Sequence, residues 1–452
     1  MKLSIVGTGY VGLISGLCLS EKGHHVTCVD VDTNKVGQIN QGHAPIHEKG
    51  LEGLLNRNVG HRFFATTDLR QAVSDSTITV IAVGTPFDGN QIDLTSVKKA
   101  SREIGLILRD KSAYHVVVVK STVVPGTTEE TVLPLLEEGS GKEAGKSFGV
   151  GMNPEFLREG DAVNDFMNPD RILLGGIDDR SVTSLKELYS VFGDVDIVET
   201  TCRTAEMIKY TANALLATMV SFSNEMANLC AAVDDVDVVD VMRGVHLDKR
   251  LTPILPGGAR TVPEFLRYLE AGCGFGGSCL PKDVKALRAF GEQRGQSMRL
   301  MAAVLGVNAE QYKQVMHRLY KHFPRLEGVT VAVLGLAFKP GTDDVRGSPA
   351  IPIVQELLGD RAKVKAFDPI ASREAQRVLD NQDVEYCATL ESTIEDVDAV
   401  LVLTRWSEFA RLPDLLRQMV CAPVVIDARR MLDKHEIPRY EGIGLRASQG
   451  CD

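Results

Sequence analysis

The 452-residue chain has no CxxC pair and no Cys/His cluster at zinc-site spacing. This excludes the small zinc modules and dithiol redox motifs, and no metal site is expected. Its nine cysteines (18, 28, 202, 230, 273, 279, 387, 421 and 451) are scattered and odd in number. That is the pattern of reduced thiols in a cytoplasmic protein rather than of a disulfide framework. No apolar run reaches the roughly 18 residues a membrane-spanning helix needs. The apolar N-terminus is broken by glycines where a signal peptide needs its apolar stretch. Basic residues are also short: 50 Lys+Arg against 60 Asp+Glu give a net charge of −10. That balance argues against nucleic acid and against an anionic membrane surface as partners. A small anionic substrate remains open, because a helix N-terminus can outweigh global charge. With 44% hydrophobic residues and this length, two or three ordinary globular domains are expected.

Among the cysteines, Cys279 stands out. It lies in Gly274-Phe275-Gly276-Gly277-Ser278-Cys279-Leu280-Pro281-Lys282-Asp283. Glycines allow close backbone approach to a ligand, and a thiol beside a cation can ionise to the nucleophilic thiolate. The alternative is a glycine-rich turn holding a core cysteine.

The chain opens with a predicted strand, Lys2 to Val6, followed by Gly7-Thr8-Gly9-Tyr10-Val11-Gly12 and a predicted helix from Leu13 to Lys22. A second strand, Val26 to Val29, ends at Asp30. Strand, G-x-G-x-x-G, helix, strand and terminal acid together form a dinucleotide-binding signature. Gly7 permits the tight turn, Gly9 the approach of the pyrophosphate and Gly12 close helix packing. Asp30 accepts from the ribose, which favours NAD over NADP. Further strands end at Gly84-Thr85-Pro86, at Ser121-Thr122 and at Asn153-Pro154-Glu155. Strand carboxyl ends are where open α/β sheets bind ligands, although turn and capping chemistry explains each Thr or Ser taken singly.

Glu155 and Glu159 stand four apart and share a face if their segment is helical. Residues 202 to 231 read as one long helix, on which Glu206, Lys209 and Asn213 share a face. Lys209 and Asn213 suit an oxyanion or a sugar hydroxyl; taken alone, the three read as a surface stripe. Asn224 and Asn228 repeat the spacing with less meaning. Residues 251–263 form a Pro/Gly-rich loop. A second α/β unit starts near Val329, with strands ending at Gly335, Asp368, Leu403 and Asp427 and no G-x-G-x-x-G. Its Lys339 and Arg346 are candidates for phosphate or sugar contacts, or for salt bridges to Asp343 and Asp344.

These blocks, together with Val83–Pro86, Lys120–Val123, Asn153–Gly160, Glu206–Tyr210 and Phe338–Arg346, resemble the UDP-glucose/GDP-mannose dehydrogenase family from Met1 to about Leu432. The resemblance implies an α/β fold: two doubly wound (Rossmann-like) domains joined by a long central helix and a helical dimerisation region. The expected division is 1–200, NAD-binding; 201–310, central helical with the cysteine loop; and 311–440, nucleotide-sugar-binding. It implies NAD as cofactor, a nucleotide-sugar substrate, and a homodimer or higher homo-oligomer.

The implied reaction is a four-electron oxidation at C6 through a Cys279 thiohemiacetal and thioester. Lys209 and Asn213 would stabilise the oxyanion, Asp283 and Thr122 would hold a water, and Glu159 would be the hydrolytic base. The cofactor set is Gly7, Gly9, Tyr10, Val11, Gly12, Asp30, Lys35, Thr85, Thr122 and Glu159. The substrate set is Glu155, Phe156, Leu157, Lys209, Asn213, Tyr268, Leu269, Gly276, Lys339 and Arg346.

Asn168–Arg171, Ala366–Pro369 and Leu403–Phe409 look like the UDP-glucose branch, while Glu138–Lys142 through Gly149–Gly151 looks like the GDP-mannose branch. UDP-glucose is the expected substrate and UDP-glucuronate the product, with GDP-mannose the alternative. A two-electron hydroxyacid dehydrogenase needs neither Cys279 nor residues 329–432. A silent NAD-binding protein would be expected to lose Cys279, Lys209 or Asp283. The chain departs from the family pattern by extra residues between Arg250 and Tyr268. Whether Arg250, Arg260 or neither reaches a neighbouring subunit's substrate stays open.

Overall fold

The computed structural model describes residues 1–380 and 383–446. The chain divides into two compact units, Met1–Ala212 and Asn213–Asp452. The division falls inside one continuous helix, Cys202–Cys230, so the long helix read from the absence of Gly and Pro is present.

In the first unit the strands are β1 (Lys2–Val6), β2 (His25–Val29), β3 (Phe63–Thr66), β4 (Ile78–Ile81), β5 (Val116–Val119), β6 (Gly149–Met152), β7 (Arg171–Gly176) and β8 (Asp196–Thr200). Among the described residues they form one sheet in the order β3-β2-β1-β4-β5-β6-β7-β8. Neighbours are parallel except β6 and β7. Alternate residues feed two cores. Leu3, Ile5, Val26, Cys28, Val116 and Val118 pack on one face. Ile81, Val117, Val119, Val150 and Met152 pack on the other. Helices cover both faces, so the strands read as unbroken apolar runs.

The second unit holds β9 (Thr330–Leu334), β10 (Lys363–Phe367), β11 (Val384–Tyr386), β12 (Ala399–Val402), β13 (Val424–Asp427) and β14 (Tyr440–Gly442). Their order, β11-β10-β9-β12-β13-β14, repeats the first six strands of the first sheet. Both are doubly wound, and each has its switch point where the order reverses, β1/β4 and β9/β12. Two short strands, β11 and β14, were not read from the sequence. β14 runs past residue 440, where the C-terminal domain was expected to end.

The first helix starts at Tyr10, not Leu13, which makes Gly9 its N-cap. Residues 153–158 form no regular element and 159–160 a turn, not a helix, so Glu155 and Glu159 do not share a helix face. No disulfide is formed among the eight described cysteines; Cys451 lies outside the described residues. Among those residues no helix is long and apolar enough to cross a membrane, and no group of three or more potential ligands could hold a metal ion.

Candidate active site

The dinucleotide turn follows β1. Gly7 has φ +104°, and a Cβ on it would lie 2.7 Å from the Ala82 carbonyl oxygen. A Cβ on Gly12 would lie 1.9 Å from the Gly7 carbonyl oxygen, whereas one on Gly9 would meet nothing within 4 Å. Gly7 and Gly12 therefore let the chain pack on itself, and Gly9 leaves its face open. No described side chain caps the helix Tyr10–Glu21, so its first N–H groups remain donors for an anion. At the end of β2, Asp30 Oδ2 accepts from the Thr8 amide at 2.9 Å and the Thr8 hydroxyl at 2.5 Å. Oδ1 accepts from the Asp32 amide at 3.0 Å. Burial alone raises the Asp30 pKa, but these donors and the Lys35 charge hold it below the usual range. An open glycine, an uncapped helix start and a half-buried anionic acid fit the pyrophosphate and ribose of NAD.

The strand-end residues converge. The Thr85 hydroxyl donates to the Thr122 carbonyl at 2.8 Å, and the Ser121 hydroxyl to the Val83 carbonyl at 2.7 Å. The turn residues thus tie β4 and β5 together while Thr122 stays half-buried.

Glu206, Lys209 and Asn213 are not a surface stripe; all three are buried. Glu206 accepts from the amides of Gly126 and Thr128 at 2.6 and 2.8 Å and from the Thr128 hydroxyl at 2.7 Å. That clamps the Thr122-bearing loop to the long helix. Burial pushes the Glu206 pKa up to about 7 against these donors. One turn on, Lys209 Nζ stands 3.0 Å from Glu155 Oε1. Burial raises the Glu155 carboxyl, and Lys209, the Leu157 amide and Lys120 more than reverse that. Phe156 stacks under Arg171 at 4.0 Å and lies 5.3 Å from Lys209 Nζ. The Leu157 amide donates to Glu155 at 2.6 Å.

Two further buried residues were not singled out from the sequence, Lys120 within a family block and Tyr189 outside any. Lys120 is buried, donates to Asn153 Oδ1 at 2.8 Å, and burial lowers its pKa to about 8. The Tyr189 hydroxyl donates to the same oxygen at 2.5 Å.

In the second unit Asn213 Nδ2 donates to Asp283 Oδ2 at 2.6 Å, and Lys282 Nζ lies 2.5 Å from Asp283 Oδ1. Cys279 is exposed while Cys18, Cys28, Cys202, Cys230 and Cys273 are buried; it is not a core cysteine. It occupies the N-cap of the helix Leu280–Gln293, where the helix dipole favours an anion. The Ser278 hydroxyl lies 3.6 Å from its sulfur. The glycines ahead of it serve the chain's own packing. A Cβ on Gly276 would sit 2.3 Å from the Gly347 carbonyl oxygen, and one on Gly277 2.8 Å from the Phe338 ring.

Three carboxamides hold the segment leading to the cysteine. Asn224 Oδ1 accepts from the Gly272 amide and Gln311 Nε2 donates to the Gly272 carbonyl, both at 2.8 Å. Asn308 clamps Phe275 from both sides, accepting from its N–H at 2.7 Å and donating to its carbonyl at 3.0 Å. These amides replace the strand partners the segment lacks. Asn308 and Gln311 were missed because their role depends on distant backbone.

Val11 and Lys35 lie in the helices Tyr10–Glu21 and Thr33–Asn40, and the remaining candidates of the second unit lie on exposed or half-buried segments. Arg346 pairs with Asp344 at 2.8 Å, and Lys339 lies 5.6 Å from the Phe338 ring centroid. Tyr268 and Leu269 end the 3₁₀ turn Glu264–Leu269. Arg250 pairs with Asp248 at 2.5 Å. One Arg260 nitrogen donates to the Leu247 and Thr252 carbonyls and the Thr252 hydroxyl within 3.0 Å.

Comparison with known proteins covers nearly the whole chain. Residues 1–193 match the NAD binding domain of the UDP-glucose/GDP-mannose dehydrogenase family, 203–310 its central domain and 332–434 its UDP binding domain. The chain is 42% identical to the UDP-glucose 6-dehydrogenase AglM of Haloferax volcanii, over 98% of this chain and 100% of that one. It is 41% identical to a GDP-mannose 6-dehydrogenase of Pseudomonas aeruginosa, over 89% of this chain and 87% of that one. A solved UDP-glucose dehydrogenase from Pyrobaculum islandicum superposes with a TM-score of 0.88 at 37% identity, covering 98% of this chain and 97% of that one. On these three domain matches and full-length relatives, the chain belongs to the UDP-glucose/GDP-mannose dehydrogenase family and is an NAD-dependent dehydrogenase of nucleotide sugars.

Proposed function

We propose that this protein oxidises UDP-glucose at C6 to UDP-glucuronate, with Cys279 as covalent nucleophile. The observation that carries the reading is the exposed Cys279 at a helix start, with Asp283 and Asn213 hydrogen-bonded to each other in the same unit. Bound NAD supplies the hydride acceptor, used once on the alcohol and once on the thiohemiacetal. Gly7, Gly9, Tyr10, Val11, Gly12, Asp30, Lys35 and Thr85 hold that cofactor.

A water on Asp283 and Thr122 takes the C6 hydroxyl proton. The Cys279 thiolate then adds to the aldehyde carbon, forming the C–S bond. Lys209 and Asn213 donate to the oxygen that becomes negative, which is worth several kcal/mol in a preorganised site. In the last step water attacks the thioester carbon, Glu159 takes its proton, the C–S bond breaks and the thiolate leaves. Alcohol, water and two NAD thus yield carboxylate, two NADH and three protons. Glu155, Phe156, Leu157, Tyr268, Leu269, Gly276, Lys339 and Arg346 complete the substrate set.

The names of full-length relatives, UDP-glucose 6-dehydrogenases, support UDP over GDP. A homodimer is part of the same reading: Leu215, Phe222 and Leu229 are exposed at seven-residue spacing on the helix Cys202–Cys230. The absence of a disulfide among the described cysteines fits a cytoplasmic protein. The test is the NADH yield from limiting UDP-glucose and, separately, limiting GDP-mannose. Two NADH per UDP-glucose are expected, and none from Cys279→Ser beyond the aldehyde stage. Two NADH only with GDP-mannose overturns the substrate; unchanged uronate from Cys279→Ser overturns the mechanism.

A further inference from the structure

Glu48 lies outside every motif, on the loop between the helices Thr33–Asn40 and Leu51–Asn58. Its side chain is nonetheless buried. One oxygen accepts from the Tyr10 hydroxyl and from the Gly160 amide at 2.7 Å; the other accepts from the Ala162 amide at 2.9 Å. The Gly160 N–H is shared with the Tyr10 hydroxyl oxygen at 3.2 Å. Burial, and then the hydrogen bond and charge of Glu48, keep the Tyr10 phenol protonated well past its usual range. Tyr10 therefore stays a donor.

Tyr10 opens the helix that follows the dinucleotide turn, and Gly160 directly follows Glu159. We infer that Glu48 is a positioning residue that fixes Glu159 to the dinucleotide turn, and through it the thioester-hydrolysis step. The inference rests on the reading of Glu159 as hydrolytic base. Both carboxylate oxygens of Glu48 are used by backbone N–H donors, so a glutamine of equal size sets its own N–H₂ against one of them. Glu48→Gln keeps the volume and breaks the clamp.

The experiment mixes enzyme, NAD and UDP-glucose in stopped flow. It reads the NADH burst per active site, and after a quench the intact mass of the sugar–cysteine adduct. Glu48→Gln is expected to keep the two-NADH burst, lower steady-state kcat at least tenfold, leave the KM for NAD within threefold, and accumulate adduct as Glu159→Gln does. Glu48→Asp keeps the charge but cannot span both amides, so it accumulates an intermediate amount and serves if the glutamine variant misfolds. Adduct in Glu159→Gln but not in the Glu48 variants, or a raised KM for NAD at full kcat, overturns the inference alone. No adduct in Glu159→Gln overturns the reading of Glu159 and the inference with it.

Discussion

The Asn308 clamp gives the sharpest test of how the cysteine segment is held. Asn308→Ala removes both hydrogen bonds to Phe275, leaving its N–H and carbonyl without the amide that now pairs them. An orphaned buried polar group costs about 1–3 kcal/mol. Asn308 is itself half-buried, and water admitted to the gap recovers part of this. A loss of about 2–4 kcal/mol is therefore expected, or roughly 4–15 °C in the melting temperature of a unit this size. Asn308→Asp separates hydrogen bonding from volume: the carboxylate still accepts from the Phe275 N–H but sets an oxygen against the Phe275 carbonyl, so it should fall as far. The loop begins one residue before Phe275 and ends in Cys279, so kcat for NADH formation should drop with it while NAD affinity is unchanged. Calorimetry with and without NAD, and initial rates at saturating UDP-glucose, are the assays. Melting within 1 °C of the parent at full kcat in both variants would refute the reasoning. A double variant with Gln311→Ala should be non-additive by more than about 0.5 kcal/mol, since both side chains anchor one segment.

Gly12→Ala places a methyl 1.9 Å from the Gly7 carbonyl. The turn must open, so NAD affinity by fluorescence titration should fall at least tenfold, and an unchanged affinity would mean that Gly12 is not needed for packing. Glu206 has a folded pKa of about 7, above its unfolded value. The folded state then binds the extra proton between those values, and the protein loses stability as pH rises through that window. Glu206→Gln should flatten that slope in urea titrations from pH 5 to 8; an unaltered slope sinks the assignment. Asp237 caps the helix Val238–His246 and pairs with Arg430 and Lys434 at 2.8 Å. Burial raises its carboxyl, but these partners outweigh that and hold it down to about 2. Its contribution is present above the unfolded pKa and lost as pH falls toward 2. Asp237→Asn should cost about 2 kcal/mol at pH 7 and progressively less in acid.

What the sequence disclosed were features whose physics is local. The glycine turn, Asp30 and the apolar runs of β1, β4, β5 and β9 follow from backbone sterics and burial within a few residues. Local reading failed where a partner lay far along the chain. Glu206, Lys209 and Asn213 looked like a solvated stripe because nothing in the helix reveals Thr128, Glu155 or Asp283 as partners. Glu155 and Glu159 looked like one helix face because spacing cannot say that the segment after Asn153-Pro154 forms an irregular loop. Gly276 and Gly277 showed no sign in the sequence of the close approach they also make, to Gly347 and Phe338. Glu48, Asn308 and Gln311 had no signal, since each acts on backbone groups that any residue would present.

The second sheet explains why one strand order serves two purposes. Gly335 repeats Gly7 in conformation, with φ +93°, and in its amide bond to the second strand, 2.8 Å to Phe367 against 2.7 Å to Val29. Asp368 repeats the position of Asp30. There the likeness ends. Asp368 Oδ2 takes the amides of Leu336 and Ala337 and the Trp406 indole, and Oδ1 takes the amides of Ile370 and Ala371. Five donors fill a fully buried carboxylate, leaving it nothing for a ribose, whereas half-buried Asp30 keeps acceptor capacity on Oδ1. The next helix begins only at Ala350, so no helix N-terminus follows the first turn to receive a pyrophosphate. The absence of G-x-G-x-x-G after Leu334 thus marks a real change in chemistry: this unit keeps the switch-point crevice and has spent the acid on its own loop. Asp368→Asn should accordingly destabilise the second unit while leaving NAD affinity untouched, whereas Asp30→Asn should weaken NAD binding. If the two variants shift NAD affinity alike, the division of labour argued from their hydrogen bonds is wrong.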